Sequence, residues 1–178
     1  VLLVGGTRSF AVGGWSGTVL DRLSPLSARP DLRVAVVLGV DASGSMNQED
    51  RWSRVVSALE AATPVLDPDD HLRLMTFQQG AVEIHSSVEA LRKVRPTGGT
   101  FLAGAIEKAR LELDSLAAGR KEIVLFTDGE VAAGETSEMR ARAVAGLKDI
   151  GLTVVTTNRP VDVGRIVKIG DWKELERR

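Results

Sequence analysis

Three short segments of the chain combine side chains that could hold a divalent metal ion. They are Asp41-Ala-Ser43-Gly-Ser45-Met46, Thr97-Gly-Gly-Thr100 and Asp128-Gly-Glu130. Every candidate ligand in them offers a carboxylate or hydroxyl oxygen, and the chain contains no cysteine. Oxygen-only ligation suits Mg²⁺, with Mn²⁺ or Ca²⁺ as further candidates, and argues against zinc or copper. The residue types therefore predict a site for a hard cation.

The charge on these candidate ligands indicates what a bound ion would do. Only Asp41 and Asp128 are charged. If the hydroxyls of Ser43, Ser45 and Thr100 contact the ion directly, the ion stays under-neutralised and electrophilic. Such an ion would favour an anionic oxygen from outside, such as an Asp or Glu carboxylate of a protein partner. This is a binding mechanism that requires no catalytic base, so we predict a non-enzymatic module.

The elements that must position these side chains alternate between strand and helix patterns. Buried strands are predicted at Val34–Val40, Leu72–Phe77, Ile123–Thr127 and Leu152–Thr157, because each is short and apolar or β-branched. Ala81–Ser86 alternates apolar and polar residues, which predicts an antiparallel edge strand. The predicted fold class is α/β, a Rossmann-like open and mostly parallel sheet with helices on both faces. Ligands bind at the carboxyl ends of strands in such sheets, so the three polar segments are expected to converge there.

Apolar residues at helical spacing predict three helices between these strands. The stripes run from Trp52 to Leu59 after the caps Ser45 and Asn47, from Leu102 to Leu116 before Gly119, and from Met139 to Ile150 between Thr136 and Gly151. The first helix would therefore follow the DASGSM segment directly, and the second would follow TGGT.

The same three segments resemble the metal-binding elements of the von Willebrand factor type A domain family. DASGSM resembles the family's D-x-S-x-S element, TGGT its threonine loop and FTDGE its later aspartate loop, in the family's order between about Asp31 and Thr157. The resemblance implies the family's fold and its metal-ion-dependent adhesion site. The ligands that it implies are the hydroxyls of Ser43, Ser45 and Thr100, with the carboxylates of Asp41 and Asp128 bound directly or through water.

Each of these residues also has an ordinary structural interpretation. Asp41, Ser45 or Thr100 alone could cap a helix, and the Asp-Gly pair that begins at Asp128 is by itself a turn signal. The occurrence of all three elements in order favours the metal site. Thr97 is interpreted as a turn residue, because the family's threonine follows the glycine pair.

Other residues that could do chemistry are interpreted as structural. Asp67, Asp69 and Asp70 lie between a helix and a strand at the opposite end of the predicted sheet, which indicates a solvated loop. His71 and His85 are isolated, with no paired histidine, and are expected at strand surfaces.

The two ends of the chain differ from its middle. The chain begins without an initiator Met, and we expect it to be part of a larger protein. Residues 1–30 are predicted to be the remnant of a neighbouring domain, 31–160 the von Willebrand A-like domain and 161–178 a C-terminal tail. The first segment is similar to one that adjoins such modules in large bacterial membrane-associated proteins, beside a glutamine amidotransferase-like fold. That activity needs a cysteine nucleophile, which this chain lacks.

The composition excludes several function classes and leaves an alternative open. The net charge is −1, so neither nucleic acid nor a membrane surface is an expected partner, and no apolar run is long enough for membrane insertion. The alternative is a Mg²⁺-dependent phosphoryl-transfer hydrolase of the haloacid dehalogenase kind, which also places an Asp after its first strand. Such an enzyme needs a second acid two residues later, where this chain has Ser43. A third possibility is a structural domain that keeps the motif without binding metal.

Overall fold

The computed structural model describes residues 33–157 and 161–169. The predicted N-terminal segment, 1–30, and the helical turns expected within 171–178 lie outside this range. The described strands are β1 (Val34–Asp41), β2 (His71–Gln78), β3 (Ala81–His85), β4 (Arg120–Thr127), β5 (Ile150–Thr156) and β6 (Arg165–Lys168). The described α-helices are α1 (Arg51–Ala62), α2 (Val88–Arg92), α3 (Leu102–Asp114) and α4 (Ser137–Ala145).

The strands form one sheet in the order β3-β2-β1-β4-β5-β6, in which only β3 is antiparallel to its neighbour within the described range. The predicted fold class, with its antiparallel edge strand, is confirmed. From β1 the chain moves to one side, to β2, and later returns to pair β4 with the other side of β1. The carboxyl ends of β1 and β4 therefore meet where the strand order reverses, which is the usual ligand site of an open α/β sheet.

Helices cover both faces of the sheet because alternate strand residues face opposite sides. Against one face, α3 and α4 bury a stripe of aliphatic residues onto β1, β2, β4 and β5. Against the other, α1 and α2 pack Trp52, Val55, Val56, Leu59 and Leu91 onto residues that include Val40, Leu74 and Phe126. Two buried layers hold the strand ends rigidly, so the loops that leave β1 and β4 start from fixed positions.

Two details of the predicted elements were wrong, and one strand was not predicted. A 3₁₀ segment, Gly44–Asp50, which is interrupted by a kink at Gln48 and Glu49, precedes the first helix. That helix begins at Arg51 and not after the predicted caps Ser45 and Asn47. The helix predicted as far as Ile150 ends at Ala145, because the following residues turn into β5, although Thr136 caps its start as predicted. The segment interpreted as a tail contributes strand β6, which pairs in parallel with β5. Four residues were too short a pattern to predict that strand.

Gly39, in the middle of β1, lies where the packed core leaves no room for a side chain. An added Cβ would lie 2.6 Å from Cδ2 of Leu125 and 2.9 Å from Cε of Met75. We predict that Gly39→Ala lowers the free energy of unfolding by about 1–3 kcal/mol, the usual cost of overpacking a core. Urea unfolding measures the change. Gly134→Ala, where nothing lies within 4 Å of the added atom, is the control and should stay within about 0.5 kcal/mol of the parent.

Candidate metal centre

Asp41, the last residue of β1, is the central side chain of the predicted site. It is fully buried, and its Oδ1 accepts the backbone N–H of Ser43 at 2.8 Å. Its Oδ2 accepts two hydroxyl protons, from Thr100 Oγ1 at 2.8 Å and from Thr127 Oγ1 at 2.6 Å. Burial raises the pKa of Asp41 above the ordinary aspartate value, and these hydrogen bonds oppose the shift.

The serines of the first segment lie beside this carboxylate. The hydroxyls of Ser43 and Ser45 are 3.1 Å apart, and Ser43 is itself buried. Ser43 occupies the cap position of the 3₁₀ segment without a capping bond from its side chain. The capping role that was open for Ser45 is wrong as well, since the helix that follows begins after Asp50. Neither hydroxyl therefore caps the start of a helix.

Thr100 reaches the site from the loop before α3. Its backbone pairs with Val131, and its carbonyl accepts the N–H of Ala132 at 3.0 Å, so this loop is joined to the loop after β4. The residue before α3 is Phe101, which makes no side-chain cap. Thr100 thus points its hydroxyl at Asp41 and does not cap the helix. Thr97, by contrast, is exposed and lies within hydrogen-bond distance of Gln78, as expected of a turn residue.

Asp128 enters the site from the carboxyl end of β4 and is also fully buried. Its Oδ1 accepts the N–H of Glu130 at 3.1 Å, which closes a turn whose middle residue, Gly129, has a φ of 82°. Its Oδ2 accepts a hydrogen bond from Nη1 of Arg51 at 3.1 Å, and this is a charged pair. The two carboxylates of the site are therefore compensated in different ways, Asp41 by hydroxyls and Asp128 by a guanidinium.

Three residues that hold this arrangement in place were not predicted from the sequence. Thr127 bridges the two carboxylate-bearing strand ends, since its hydroxyl donates to Asp41 and accepts from the N–H of Gly129 at 3.1 Å. Arg51 compensates Asp128, as described above. The third residue is Glu135. Thr127 could have been predicted, because it stands directly before Asp128 at the end of a predicted strand. The residues around Arg51 gave no indication that its side chain is buried.

Glu135 fixes the start of α3 from a distance. Its buried carboxylate accepts the N–H of Ala103 in the first helical turn, and its other oxygen lies 3.6 Å from Nη1 of Arg140. No side chain at the cap position of α3 accepts a hydrogen bond, so the Glu135 carboxylate accepts one of the N–H groups left open at the start of the helix. Its negative charge also interacts favourably with the positive end of the helix dipole. This contact holds the start of α3, and with it the loop before the helix that carries Thr100.

The donor set fits a hard divalent cation. A hydroxyl has one proton, and the Thr100 hydroxyl donates its proton in the hydrogen bond to Asp41. The lone pairs of its oxygen therefore remain free to accept another hydrogen bond or to ligate a metal ion. In the described part of the chain no cluster of three His, Cys, Asp or Glu side chains could hold a metal, so a site here depends on hydroxyl oxygens. Asp67, Asp69 and Asp70 lie before β2 instead, and Asp70 accepts the N–H groups of Val34 and Asp67.

An α/β domain with oxygen donors at its topological switch point is the class of protein that these observations define. Residues 36–130 match the von Willebrand factor type A domain, and the chain belongs to that family. Domains of this family are generally interaction modules and not enzymes. No curated protein sequence matches the chain.

Solved structures share the fold at low sequence identity. A von Willebrand factor type A protein from Catenulispora acidiphila has 18% identity and a TM-score of 0.72, with 82% of this chain and 41% of that one covered. Manganese-loaded TRAP protein of Plasmodium vivax has 18% identity and a TM-score of 0.61, with 81% and 70% covered. The open conformation of the pilus adhesin SpaC from Lactobacillus rhamnosus GG has 14% identity and a TM-score of 0.63, with 82% and 29% covered. The chain thus spans less than half of the first and third of these proteins.

Proposed function

We propose that the chain is a divalent-metal-dependent protein-binding module for adhesion or assembly, which takes a carboxylate from a protein partner. The residues that would hold the ion, Mg²⁺ or alternatively Mn²⁺ or Ca²⁺, are Asp41, Ser43, Ser45, Thr100 and Asp128. When bound, the ion would supply an electrophilic position for an Asp or Glu side chain of the partner. Membership of a family of interaction modules supports this proposal, as does the similarity to a manganese-loaded protein and to a pilus adhesin.

The observation that carries the proposal is the hydrogen bonding of Asp41. Its buried carboxylate orients the Thr100 hydroxyl so that the proton faces inward and the lone pairs face away. The Ser43 backbone, held on the other carboxylate oxygen, sets the path of the chain to the paired Ser43 and Ser45 hydroxyls. Burial of a carboxylate costs free energy that its hydrogen bonds offset only in part, and oxygen atoms are the ligands that hard cations prefer.

The test of this proposal uses two threonines of the same segment. In a calorimetric titration of EDTA-treated protein with Mg²⁺ and Mn²⁺, we expect saturable binding that Thr100→Val weakens about tenfold or more, equivalent to at least about 1.4 kcal/mol. Thr97→Val is the matched control and should bind as the parent does, because its hydroxyl is exposed and turned toward Gln78. Absence of binding by the parent, or equal loss in both variants, would contradict the proposal.

A phosphatase assay separates the module from the enzyme alternative. The comparisons with known proteins give no support to a haloacid dehalogenase. The position two residues after Asp41, where that mechanism needs an acid, is occupied by Ser43, whose neighbour is the hydroxyl of Ser45. We therefore expect no turnover of p-nitrophenyl phosphate by the metal-loaded protein.

The setting of this module is also part of the proposal. The resemblance of residues 1–27 to a segment of large bacterial proteins supports a bacterial, membrane-associated parent that displays the domain. Within the described ranges, none of the helices has the length and apolar character needed to cross a bilayer.

A further inference from the structure

The ion pair between Arg51 and Asp128 is an unusual feature for a cation site. Nη1 of Arg51 lies 3.1 Å from Oδ2 of Asp128, and the side chains are 9% and 0% exposed. We propose that Arg51 is an internal counter-cation that weakens binding of the metal alone and couples metal binding to an anionic partner. This inference rests on the proposed function, because it concerns the affinity of the same site.

The local backbone places Arg51 at this position. It is the first residue of α1, and the two residues before it, Glu49 and Asp50, have φ values of 53° and 57°. Residues other than glycine seldom adopt this left-handed conformation. The strained turn ends the 3₁₀ segment and begins α1, whose Trp52 and Val55 pack into the core. The backbone of Arg51 is therefore fixed by a packed helix, and this fixed backbone directs the side chain toward Asp128.

The surroundings of Arg51 make Asp128 its principal partner. Another carboxylate near it is that of Glu49, whose Oε2 lies 3.6 Å from Nη2, but that side chain is 82% exposed. An exposed carboxylate is screened by water and contributes little. Asp128 has no exposure to water, so the guanidinium is the charge that compensates it. The backbone N–H of Glu130 donates to the other oxygen of this carboxylate at 3.1 Å.

Charge addition gives the consequence for metal binding. Asp41 and Asp128 carry −2 together, and Arg51 brings the cluster to −1. A divalent ion would change this to +1, and one carboxylate from a partner would restore neutrality. Since charges interact strongly in a site screened from water, the metal and the partner's carboxylate should each raise the affinity for the other. Without Arg51 the metal-loaded site would already be neutral, and this coupling should shrink.

The experiment compares Mn²⁺ titrations of the parent, Arg51→Gln and Arg92→Gln, each in chloride and in acetate at matched ionic strength. Arg92 is exposed and pairs with Glu60 away from the site, so its variant is the control. We expect Arg51→Gln to bind Mn²⁺ in chloride about tenfold more tightly than the parent, or more. Acetate should raise the affinity of the parent and of Arg92→Gln, and should have a smaller effect on Arg51→Gln.

The possible outcomes distinguish this inference from the proposed function. Binding by Arg51→Gln that is equal to or weaker than that of a metal-binding parent would overturn the inference and leave the proposed function standing. If neither protein binds the metal, the proposed function fails and the inference fails with it. If Arg51→Gln does not fold, the parent decides the question, because the absence of any effect of acetate on its Mn²⁺ affinity would overturn the coupling.

Discussion

Asp41→Asn is expected to abolish the response of the protein to divalent metal while leaving the metal-free fold at least as stable as the parent. At a metal concentration a hundred times the dissociation constant, ligand binding adds about 2.7 kcal/mol to the free energy of unfolding. For a domain of this size that corresponds to a rise in Tm of about 5–10 °C. The parent should show this rise and Asp41→Asn should show none.

The stability of the metal-free variant follows from the environment of Asp41. The carboxylate is fully buried, and burial raises its pKa. A carboxyl group whose pKa is higher in the folded protein stabilises the fold at low pH and loses that contribution as the pH rises through the folded pKa. At neutral pH the charge of Asp41 is therefore a net cost. An asparagine oxygen can still accept the N–H of Ser43, and its amide can donate to the hydroxyls of Thr100 and Thr127. The variant therefore removes the cost of the buried charge and keeps three hydrogen bonds, with the two hydroxyls changed from donors to acceptors.

Thermal unfolding of EDTA-treated protein between acidic and neutral pH measures this effect. The advantage of Asp41→Asn should be greatest at neutral pH and should disappear as the pH falls and the parent's carboxyl becomes protonated. Asp69→Asn is the control, since Asp69 is exposed in the loop before β2 and should change neither the metal response nor the pH dependence. A retained metal response in Asp41→Asn would mean that any metal site lies elsewhere.

Much of the fold could be predicted because each strand carries its own pattern. Ile123–Thr127 is apolar on both sides, as a central parallel strand must be, and the alternation in Ala81–Ser86 marked the edge strand. The segment Gly44–Asp50 could not be predicted, because two non-glycine residues in left-handed conformation leave no signature in residue type. Strand β6 was missed for a different reason. Its pairing with β5 depends on a neighbour in space, while its own four residues are only partly apolar.

The candidate site divides in the same way. Asp41, Thr100 and Asp128 could be found because they follow strands or precede a helix in recognisable segments. The hydrogen bonds that hold them could not be predicted, because they join residues far apart in the chain. Arg51 and Asp128 are separated by 77 positions, and Thr127 and Asp41 by 86. A sequence shows the donors, but only the sheet register shows which carboxylate each of them reaches.

Thr127→Val is expected to lower the free energy of unfolding of the metal-free protein by about 1.5–3 kcal/mol, the range for hydrogen bonds to charged groups. Valine has nearly the same shape, so the fully buried site keeps its packing and loses only the hydroxyl. That hydroxyl donates to Asp41 at 2.6 Å and accepts from the N–H of Gly129 at 3.1 Å. Urea unfolding in EDTA measures the change, and Thr127→Ser, which keeps the hydroxyl, should recover most of the loss.

A double-mutant cycle with Asp41→Asn tests whether Thr127 acts through the charge of Asp41. In the Asp41→Asn background the bond becomes one between neutral groups, for which about 0.5–1.5 kcal/mol is typical, so Thr127→Val should cost less there than in the parent. Additive costs would mean that the hydroxyl supports only the turn at Gly129. A positive coupling would mean that Thr127, which no metal need touch, stabilises the charged form of Asp41. The same hydrogen bond that makes a buried carboxylate tolerable without metal would then keep it ionised and ready to bind one.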